Sequence, residues 1–264
     1  MTMILSTVIV LAVVGLLMGL MLVSASEKFK VEVDPRETAV RECLPGNNCG
    51  ACGYAGCDAM AAAIAKGEAP VNGCPVGGTA VSDKVAEVMG VTAAGALDKK
   101  VAFVHCAGTC DVTKNNCNYI GIETCEAAMT LPGKGVKACT YGCLGYGSCT
   151  AVCQFDAIKV INGVARVDRK KCVACGKCVA ACPQKLIEIV PDKAVYAVQC
   201  SNREKGVLVK QLCSAGCIGC GLCVRQCEHD AVHLAGNVAR IDQAKCVGCG
   251  KCAEKCPVKI IRTR

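Results

Sequence analysis

The cysteine spacing of residues 172–182 constrains this chain more than any other feature. Cys172, Cys175 and Cys178 follow one another at intervals of three, and Cys182 comes four positions later, directly before a proline. In two-cluster iron–sulfur proteins, three thiolates of such a run bind one cluster and the fourth binds the neighbouring cluster. A zinc site is the alternative, but zinc uses paired Cys-x-x-Cys knuckles without a third cysteine at the next interval. The spacing therefore predicts iron–sulfur clusters.

The same cysteine pattern occurs twice because the chain contains an internal repeat. Residues 139–186 align with residues 213–260 at a constant offset of 74, without a gap. Two dicluster ferredoxin modules therefore lie in tandem. Within the first copy, Ile158–Ile161 and Val164–Val167 are predicted strands, and Asn162-Gly163 between them is typical of a type I′ hairpin turn.

The repeat predicts four cluster sites when the fourth cysteine of each motif crosses to the partner motif. The first site takes Cys143, Cys149 and Cys182; the second takes Cys153, Cys172, Cys175 and Cys178; the third takes Cys217, Cys220, Cys223 and Cys256; the fourth takes Cys227, Cys246, Cys249 and Cys252. The first site lacks one thiolate because Tyr146 aligns with Cys220. We predict that Cys139 supplies it, which leaves Cys200 and Cys213 unassigned.

A fifth site is predicted near the N-terminus. Its four cysteines are separated by short glycine-containing stretches and one longer interval: Cys49, Cys52, Cys57 and Cys74. Glycines between ligands let the backbone wrap closely around an inorganic core. Asp34-Pro35 is typical of a helix start, and the alanine-rich residues 59–65 are predicted to be helical. Cys43 lies outside the set.

Four further cysteines precede the first module at irregular spacings: Cys106, Cys110, Cys117 and Cys125. No standard motif has these spacings, so they form only a candidate sixth cluster site. A rival arrangement places Cys139 with Cys106, Cys110 and Cys125 and gives the site next to Tyr146 another ligand.

The composition agrees with a chain whose folding depends on metal. It contains 27 cysteines but only 3% aromatic residues, so cluster binding must contribute much of the folding free energy. The cluster spacing and the odd number of cysteines indicate a reducing compartment. The formal net charge of +8 counts every cysteine as neutral. Because each four-iron cluster with its thiolates carries about −2, five clusters cancel the excess, and nucleic acid is not an expected partner.

An apolar segment precedes all the cysteines. Residues 3–23 are apolar or small, and the first charged residue is Glu27. About 20 apolar residues are needed for a helix to cross a bilayer. A cleaved signal peptide is the alternative, but the first 26 residues contain no Lys or Arg, and the run is too long for a signal peptide. We predict an uncleaved anchor, and Lys28 and Lys30 after it favour a cytoplasmic body.

The predicted fold is therefore α+β: a transmembrane helix, a small helical four-cysteine cluster domain, and tandem bacterial-type dicluster ferredoxin modules. The predicted domains are the anchor at 1–26, the N-terminal [4Fe–4S] domain at 32–92, a cysteine-containing connecting segment at 93–135, and ferredoxin modules at 136–194 and 195–264. No dinucleotide loop, P-loop or nucleophile elbow accompanies them, so no catalytic residue is predicted on this chain. Several clusters without another cofactor site indicate electron transfer.

This combination resembles the B subunit of the Rnf complex. The resemblance is carried by the apolar N-terminus, by the ferredoxin modules, and by Leu44-Pro-Gly-Asn-Asn-Cys-Gly-Ala-Cys-Gly-Tyr-Ala-Gly-Cys57 with Cys74-Pro75 after it. It covers essentially the whole chain, and the presence of two modules is similar to the longer forms in anaerobic bacteria. The resemblance implies a component of a ferredoxin:NAD+ oxidoreductase in the cytoplasmic membrane, coupled to Na+ or H+ translocation.

The resemblance also implies the partners of the chain. Reduced ferredoxin would donate electrons on the cytoplasmic side, and five, or with the candidate site six, [4Fe–4S] clusters would relay them to the other subunits of the Rnf complex. Those subunits would hold the flavin and NAD sites, and the chain itself would cross the lipid membrane once. Two other classes stay open: a polyferredoxin subunit of a hydrogenase or other reductase, and a cluster-based sensor or scaffold.

Overall fold

The computed structural model describes residues 2–28, 34–92 and 98–263. Helix α1 (Thr2–Lys28) contains the apolar run. Large side chains along it do not pack against a core; Leu16, Met18 and Met21 are 66%, 64% and 75% exposed. Within the described residues, no helix meets the combined requirements of length and apolarity for crossing a membrane.

A small helical unit follows α1. It contains α2 (Pro35–Cys43), α3 (Cys57–Ala65) and α4 (Gly78–Met89). Asp34 caps α2 as its sequence predicts, since its carboxylate accepts a hydrogen bond from the Arg36 amide at 2.8 Å. The core of the unit consists of side chains such as Val40, Met60 and Val85, which are almost completely buried.

Two ferredoxin-like modules make up the rest of the described chain. The first contains β1 (Lys100–Val104), α5 (Cys125–Ala128), α6 (Ser148–Ala151), β2 (Ile158–Ile161), β3 (Val164–Val167), α7 (Lys177–Ala180) and β4 (Ile187–Pro191). The second contains β5 (Tyr196–Val198), α8 (Gly206–Leu212), α9 (Leu222–Arg225), β6 (Val232–Ala235), β7 (Val238–Ile241), α10 (Lys251–Glu254) and β8 (Ile261–Thr263).

The two modules share one strand topology. In each, an antiparallel hairpin lies between the motifs, as β2–β3 or β6–β7, and the first strand pairs with the last, as β1–β4 or β5–β8. In the first hairpin, Asn162 and Gly163 both have positive φ, 49° and 72°, which is the backbone a type I′ turn requires. The predicted hairpin is confirmed.

The predicted start of the first module at residue 136 needs correction. Strand β1 lies in the predicted connecting segment, yet it pairs with β4 in the register Lys100↔Pro191 to Val104↔Ile187. Val101 is fully buried in the core of the first module. The module therefore begins at β1, and the residues between β1 and α6 are an insertion within it. Residues 93–97, at the start of the predicted segment, lie outside the described residues.

The modules also contact one another. His105, just after β1, lies with its Nδ1 atom 2.9 Å from the carbonyl oxygen of Val198 at the end of β5. Arg240 on β7 donates a hydrogen bond to the Cys200 carbonyl oxygen at 2.8 Å and lies 3.4 Å from His105 Nδ1. These contacts between the ends of β1 and β5 bring the starts of the two modules together.

Candidate iron–sulfur cluster sites

The second module contains two cavities, each lined by four cysteines. One, of ≈ 340 Å³, is lined by Cys217, Cys220, Cys223 and Cys256; the other, of ≈ 330 Å³, by Cys227, Cys246, Cys249 and Cys252. In both cases three cysteines come from one motif and the fourth comes from the other. The structure therefore brings the crossed ligand sets of the third and fourth predicted sites together.

The second predicted site of the first module has the same construction. Cys153, Cys172, Cys175 and Cys178 line a cavity of ≈ 360 Å³. The amide of Ala102 in β1 donates a hydrogen bond to the Cys172 sulfur at 3.3 Å, so the first strand of the module supports this ligand. Backbone donors aimed at sulfur stabilise the thiolate form that binds iron.

Three of the four crossing cysteines share one local geometry. The sulfur atoms of Cys153, Cys182 and Cys227 each accept a hydrogen bond at 3.4 Å from the amide four residues further along the chain. Each of these cysteines follows a short helix and precedes a strand. The turn therefore orients the thiol toward the neighbouring motif and away from its own.

The first predicted site differs from the prediction in one ligand. Its cavity of ≈ 390 Å³ is lined by Cys143, Cys149, Cys182 and Cys125, and not by Cys139. Cys125 is the first residue of α5, and its amide donates a hydrogen bond to Ser148 Oγ at 3.0 Å. The inserted segment therefore places a fourth thiol at this cavity, where the repeat has Tyr146 in place of a cysteine, whereas Cys139 lines a different cavity.

Burial is the largest cause of the raised pKa values of these thiols. It raises the pKa of Cys149 to about 12, and the neighbouring thiols of Cys143, Cys125 and Cys182 add to the shift. Burial likewise raises the pKa of Cys178 and of Cys223 to about 11. Without metal these groups keep their protons at neutral pH, and iron binding supplies the positive charge that makes the thiolate favourable.

A further cavity, of ≈ 370 Å³, lies between the modules and is lined by four cysteines that the sequence spacing does not combine. They are Cys106, Cys139, Cys200 and Cys213. The structure does not bring the four cysteines of the predicted sixth set together: Cys106 lines this cavity, Cys125 lines the cavity of the first site, and Cys110 and Cys117 are exposed. Of the three partners that the rival grouping gives Cys139, namely Cys106, Cys110 and Cys125, only Cys106 lines the same cavity as Cys139.

The N-terminal cysteines gather around α3. Cys52, Cys57 and Cys74 pack against the same buried cluster that contains Met60 and Ile64, and Cys43 packs there too. Burial raises the pKa of Cys74, and the nearby thiols of Cys52 and Cys57 contribute to the same direction. Asn48 Oδ1 accepts a hydrogen bond from the Cys57 amide at 2.8 Å and so fixes the loop that carries Cys49.

The arrangement of four cysteines around each cavity is compatible with a four-iron cluster. Within the described residues, no three metal-binding side chains converge as closely as one bound ion requires. Zinc holds all its sulfur ligands at about 2.3 Å from one centre. A four-iron cluster places its thiolates around a larger inorganic core, and the four-cysteine cavities of near-equal volume fit that group.

Three family models describe the same regions as iron–sulfur domains. An Fe-S cluster model matches residues 44–76, a 4Fe-4S binding domain model matches residues 165–188, and a 4Fe-4S dicluster domain model matches residues 210–263. These matches confirm the prediction of [4Fe–4S] chemistry and of ferredoxin modules. The Fe-S cluster match also covers the N-terminal cysteines from Cys49 to Cys74.

Close relatives extend over nearly the whole chain. The B subunit of the Na+-translocating ferredoxin:NAD+ oxidoreductase complex of Acetobacterium woodii is 47% identical over 234 residues, which are 88% of this chain and 70% of that protein. The B subunit of the ion-translocating oxidoreductase complex of Methanosarcina acetivorans is 40% identical over 260 residues, 98% of each chain. The chain belongs to the B-subunit family of ion-translocating oxidoreductase (Rnf) complexes.

A third relative shows how this family varies. The B subunit of the proton-translocating ferredoxin:NAD+ oxidoreductase complex of Clostridium ljungdahlii is 39% identical over 238 residues, 89% of this chain and 83% of that protein. The relatives of this Rnf protein are thus named for different coupling ions. The predicted Rnf resemblance is confirmed, and the iron–sulfur modules identify the chain as an electron-transfer protein.

Proposed function

We propose that this chain relays electrons from reduced ferredoxin to the other subunits of a membrane ferredoxin:NAD+ oxidoreductase complex, whose electron flow drives Na+ or H+ translocation. The observation that carries the proposal is the series of four-cysteine cavities in the two modules. Family membership supports the identity of the complex, because the relatives in Acetobacterium woodii and Clostridium ljungdahlii are named as subunits of such oxidoreductases.

The relay within a module follows from the crossed ligands. Cys149 in α6 lines the first cavity of the first module, and Cys153, four residues later, lines the second. Cys178 and Cys182 make the reverse connection. Two short backbone stretches therefore join the two cluster sites. Clusters held at the two sites would supply one-electron chemistry, and the two stretches keep the sites next to each other.

Five [4Fe–4S] clusters form the proposed relay. Four are in the ferredoxin modules, with Cys125 replacing Cys139 in the ligand set of the first, and the fifth is held by Cys49, Cys52, Cys57 and Cys74. When bound, these clusters supply reversible one-electron chemistry. The protein supplies thiolates, N–H donors to sulfur, and burial that excludes water.

We further propose that α1 anchors the chain in the cytoplasmic membrane as a single pass, with the cluster domains on the cytoplasmic side. The uncharged sequence of residues 3–23 and the exposure of large apolar side chains on α1 support this placement. Large apolar surfaces left exposed by a soluble fold usually mark a membrane or protein contact. Reduced ferredoxin is the proposed donor because it is a water-soluble carrier on the same side.

Membranes from a host that lacks this chain test the proposal. We expect that they do not reduce NAD+ with reduced ferredoxin, and that the wild-type chain restores the reaction. Cys256→Ala removes one ligand of the third site and should not restore it, whereas the exposed Cys117→Ala should. NAD+ reduction that persists without the chain contradicts the proposal.

A further inference from the structure

We propose that Cys106, Cys139, Cys200 and Cys213 bind a sixth [4Fe–4S] cluster between the two ferredoxin modules. The inference rests on the proposed electron relay and adds the link that joins its two halves. The cavity these cysteines line has a volume of ≈ 370 Å³, within the range of ≈ 330 to ≈ 390 Å³ of the four cluster cavities inside the modules.

The four ligands are two pairs of equivalent residues. Cys106 and Cys200 each stand two residues after the first strand of their module, β1 or β5. Cys139 and Cys213 are related by the 74-residue offset of the repeat. Each module therefore contributes the same two thiols, and the two half-sites face each other to give a set of four. Unrelated buried cysteines would not show this symmetry.

Hydrogen-bond donors surround the sulfur atoms. Cys106 Sγ accepts from the amides of Cys143 and Gly108 at 3.3 and 3.4 Å, and Cys200 Sγ accepts from the amide of Cys217 at 3.3 Å. The Asn202 side-chain amide donates to Cys139 Sγ at 3.4 Å, and Thr113 Oγ1 donates to Cys213 Sγ at 3.6 Å. Such donors stabilise thiolates and tune the cluster that thiolates hold.

A buried cation lies at the same cavity. Lys137 is only 6% exposed, and its ammonium donates to the carbonyl oxygens of Gly108 and Gly163 at 2.8 and 2.6 Å. Among the ion pairs of the described residues, none involves Lys137. A buried charge without an opposite charge is costly. A cluster with four thiolates carries about −2 and supplies the missing anion.

The position of the site gives the sixth cluster its role. Cys106 is hydrogen-bonded to the amide of Cys143, a cysteine of the first cavity, and Cys200 is hydrogen-bonded in the same way to Cys217 of the third cavity. One hydrogen bond thus separates the sixth site from a cluster site in each module. A cluster held by Cys106, Cys139, Cys200 and Cys213 would supply one-electron chemistry between the cluster sites of the two modules.

Anaerobic native mass spectrometry of the full chain in detergent tests the proposal by counting clusters directly. We expect the most fully loaded wild-type chain to carry six clusters, with about 24 irons by chemical analysis. Cys213→Ala and Cys200→Ala should each bind five, or keep a sixth as a three-iron cluster with its own EPR signal. The exposed Cys117→Ala is the matched control and should bind six.

A wild-type maximum of five clusters, or a Cys213→Ala chain that matches the wild type, overturns the proposal. If Cys213→Ala loses every cluster, Cys139→Ala, which removes the equivalent thiol of the first module, replaces it in the same comparison. Failure of the proposed function is distinguishable: a wild-type chain with six clusters that reduced ferredoxin does not reduce keeps the site and rejects the donor.

Discussion

Replacement of Cys125 by alanine should damage one cluster of the first module and no other. The cavity would retain three thiolates, from Cys143, Cys149 and Cys182. A four-iron cluster with three protein ligands has one iron that no thiolate holds, and this iron is lost easily. We therefore expect a loss of about one iron per chain together with a three-iron EPR signal, or a loss of about four irons.

The repeat offers a designed repair of this variant. Tyr146 occupies the position of Cys220, whose thiol lines the third cavity. Tyr146 packs near Cys125, and its ring lies 5.7 Å from that of Tyr119. In Cys125→Ala/Tyr146→Cys the new thiolate stands where the second module has its ligand. Loss of the tyrosine ring costs about 2–3 kcal/mol of packing, but the iron content should return to the wild-type value.

Iron and acid-labile sulfide analysis, with EPR of the oxidised protein, measures both effects. Cys139→Ala/Tyr146→Cys is the matched control, because Cys139 lies at the cavity between the modules and a thiol at residue 146 should not repair its loss. The role of Cys125 as a ligand is refuted if Cys125→Ala keeps its full iron content without a three-iron signal. It is refuted equally if the Tyr146 change repairs Cys139→Ala and not Cys125→Ala.

Three further predictions concern charge, anchoring and the contact between modules. Lys137→Gln removes a buried positive charge and should shift the midpoint potential of one cluster to more negative values in an EPR-monitored redox titration, while Lys210→Gln, at an exposed lysine, should shift none. Removal of residues 1–28 should give a brown, redox-active protein that no longer sediments with membranes; a truncated chain that still sediments without partner subunits contradicts the anchor. Arg240→Met removes two hydrogen bonds within the second module, to the Cys200 carbonyl and to Ser201 Oγ, where this module contacts His105 of the first. It should destabilise the protein by about 2 kcal/mol, measured as a lower midpoint temperature of cluster bleaching; an unchanged midpoint contradicts a stabilising role of Arg240 at this contact.

The ligands inside the modules were accessible from sequence because their geometry is local. The spacing of Cys172, Cys175 and Cys178 fixes three thiols on one loop, and the offset of 74 identifies the partner motif that supplies the fourth. Asn162-Gly163 likewise defines its own hairpin, since both residues adopt positive φ. In each case the relevant atoms lie within a few residues of one another or follow from a repeat without gaps.

The cysteine sets that include Cys106 or Cys125 could not be predicted from the sequence in this way, because the inserted residues interrupt the repeat. Cys106 and Cys139 are 33 residues apart, whereas Cys200 and Cys213 are 13 apart, so the ungapped repeat does not align Cys106 with Cys200. Cys125 lies in the extra residues and has no counterpart at all. A gapped comparison contains the missing signal: Val101, Val104 and Cys106 match Val195, Val198 and Cys200 at an offset of 94.

Mixing the anaerobic full-length chain with reduced ferredoxin tests the central claim, electron transfer through the clusters, most directly. We predict that the visible absorption of the chain bleaches as electrons enter and that EPR signals of reduced [4Fe–4S] clusters appear. A chain that contains zinc in place of iron, or iron–sulfur clusters that stay oxidised in the presence of excess reduced ferredoxin, would contradict this claim.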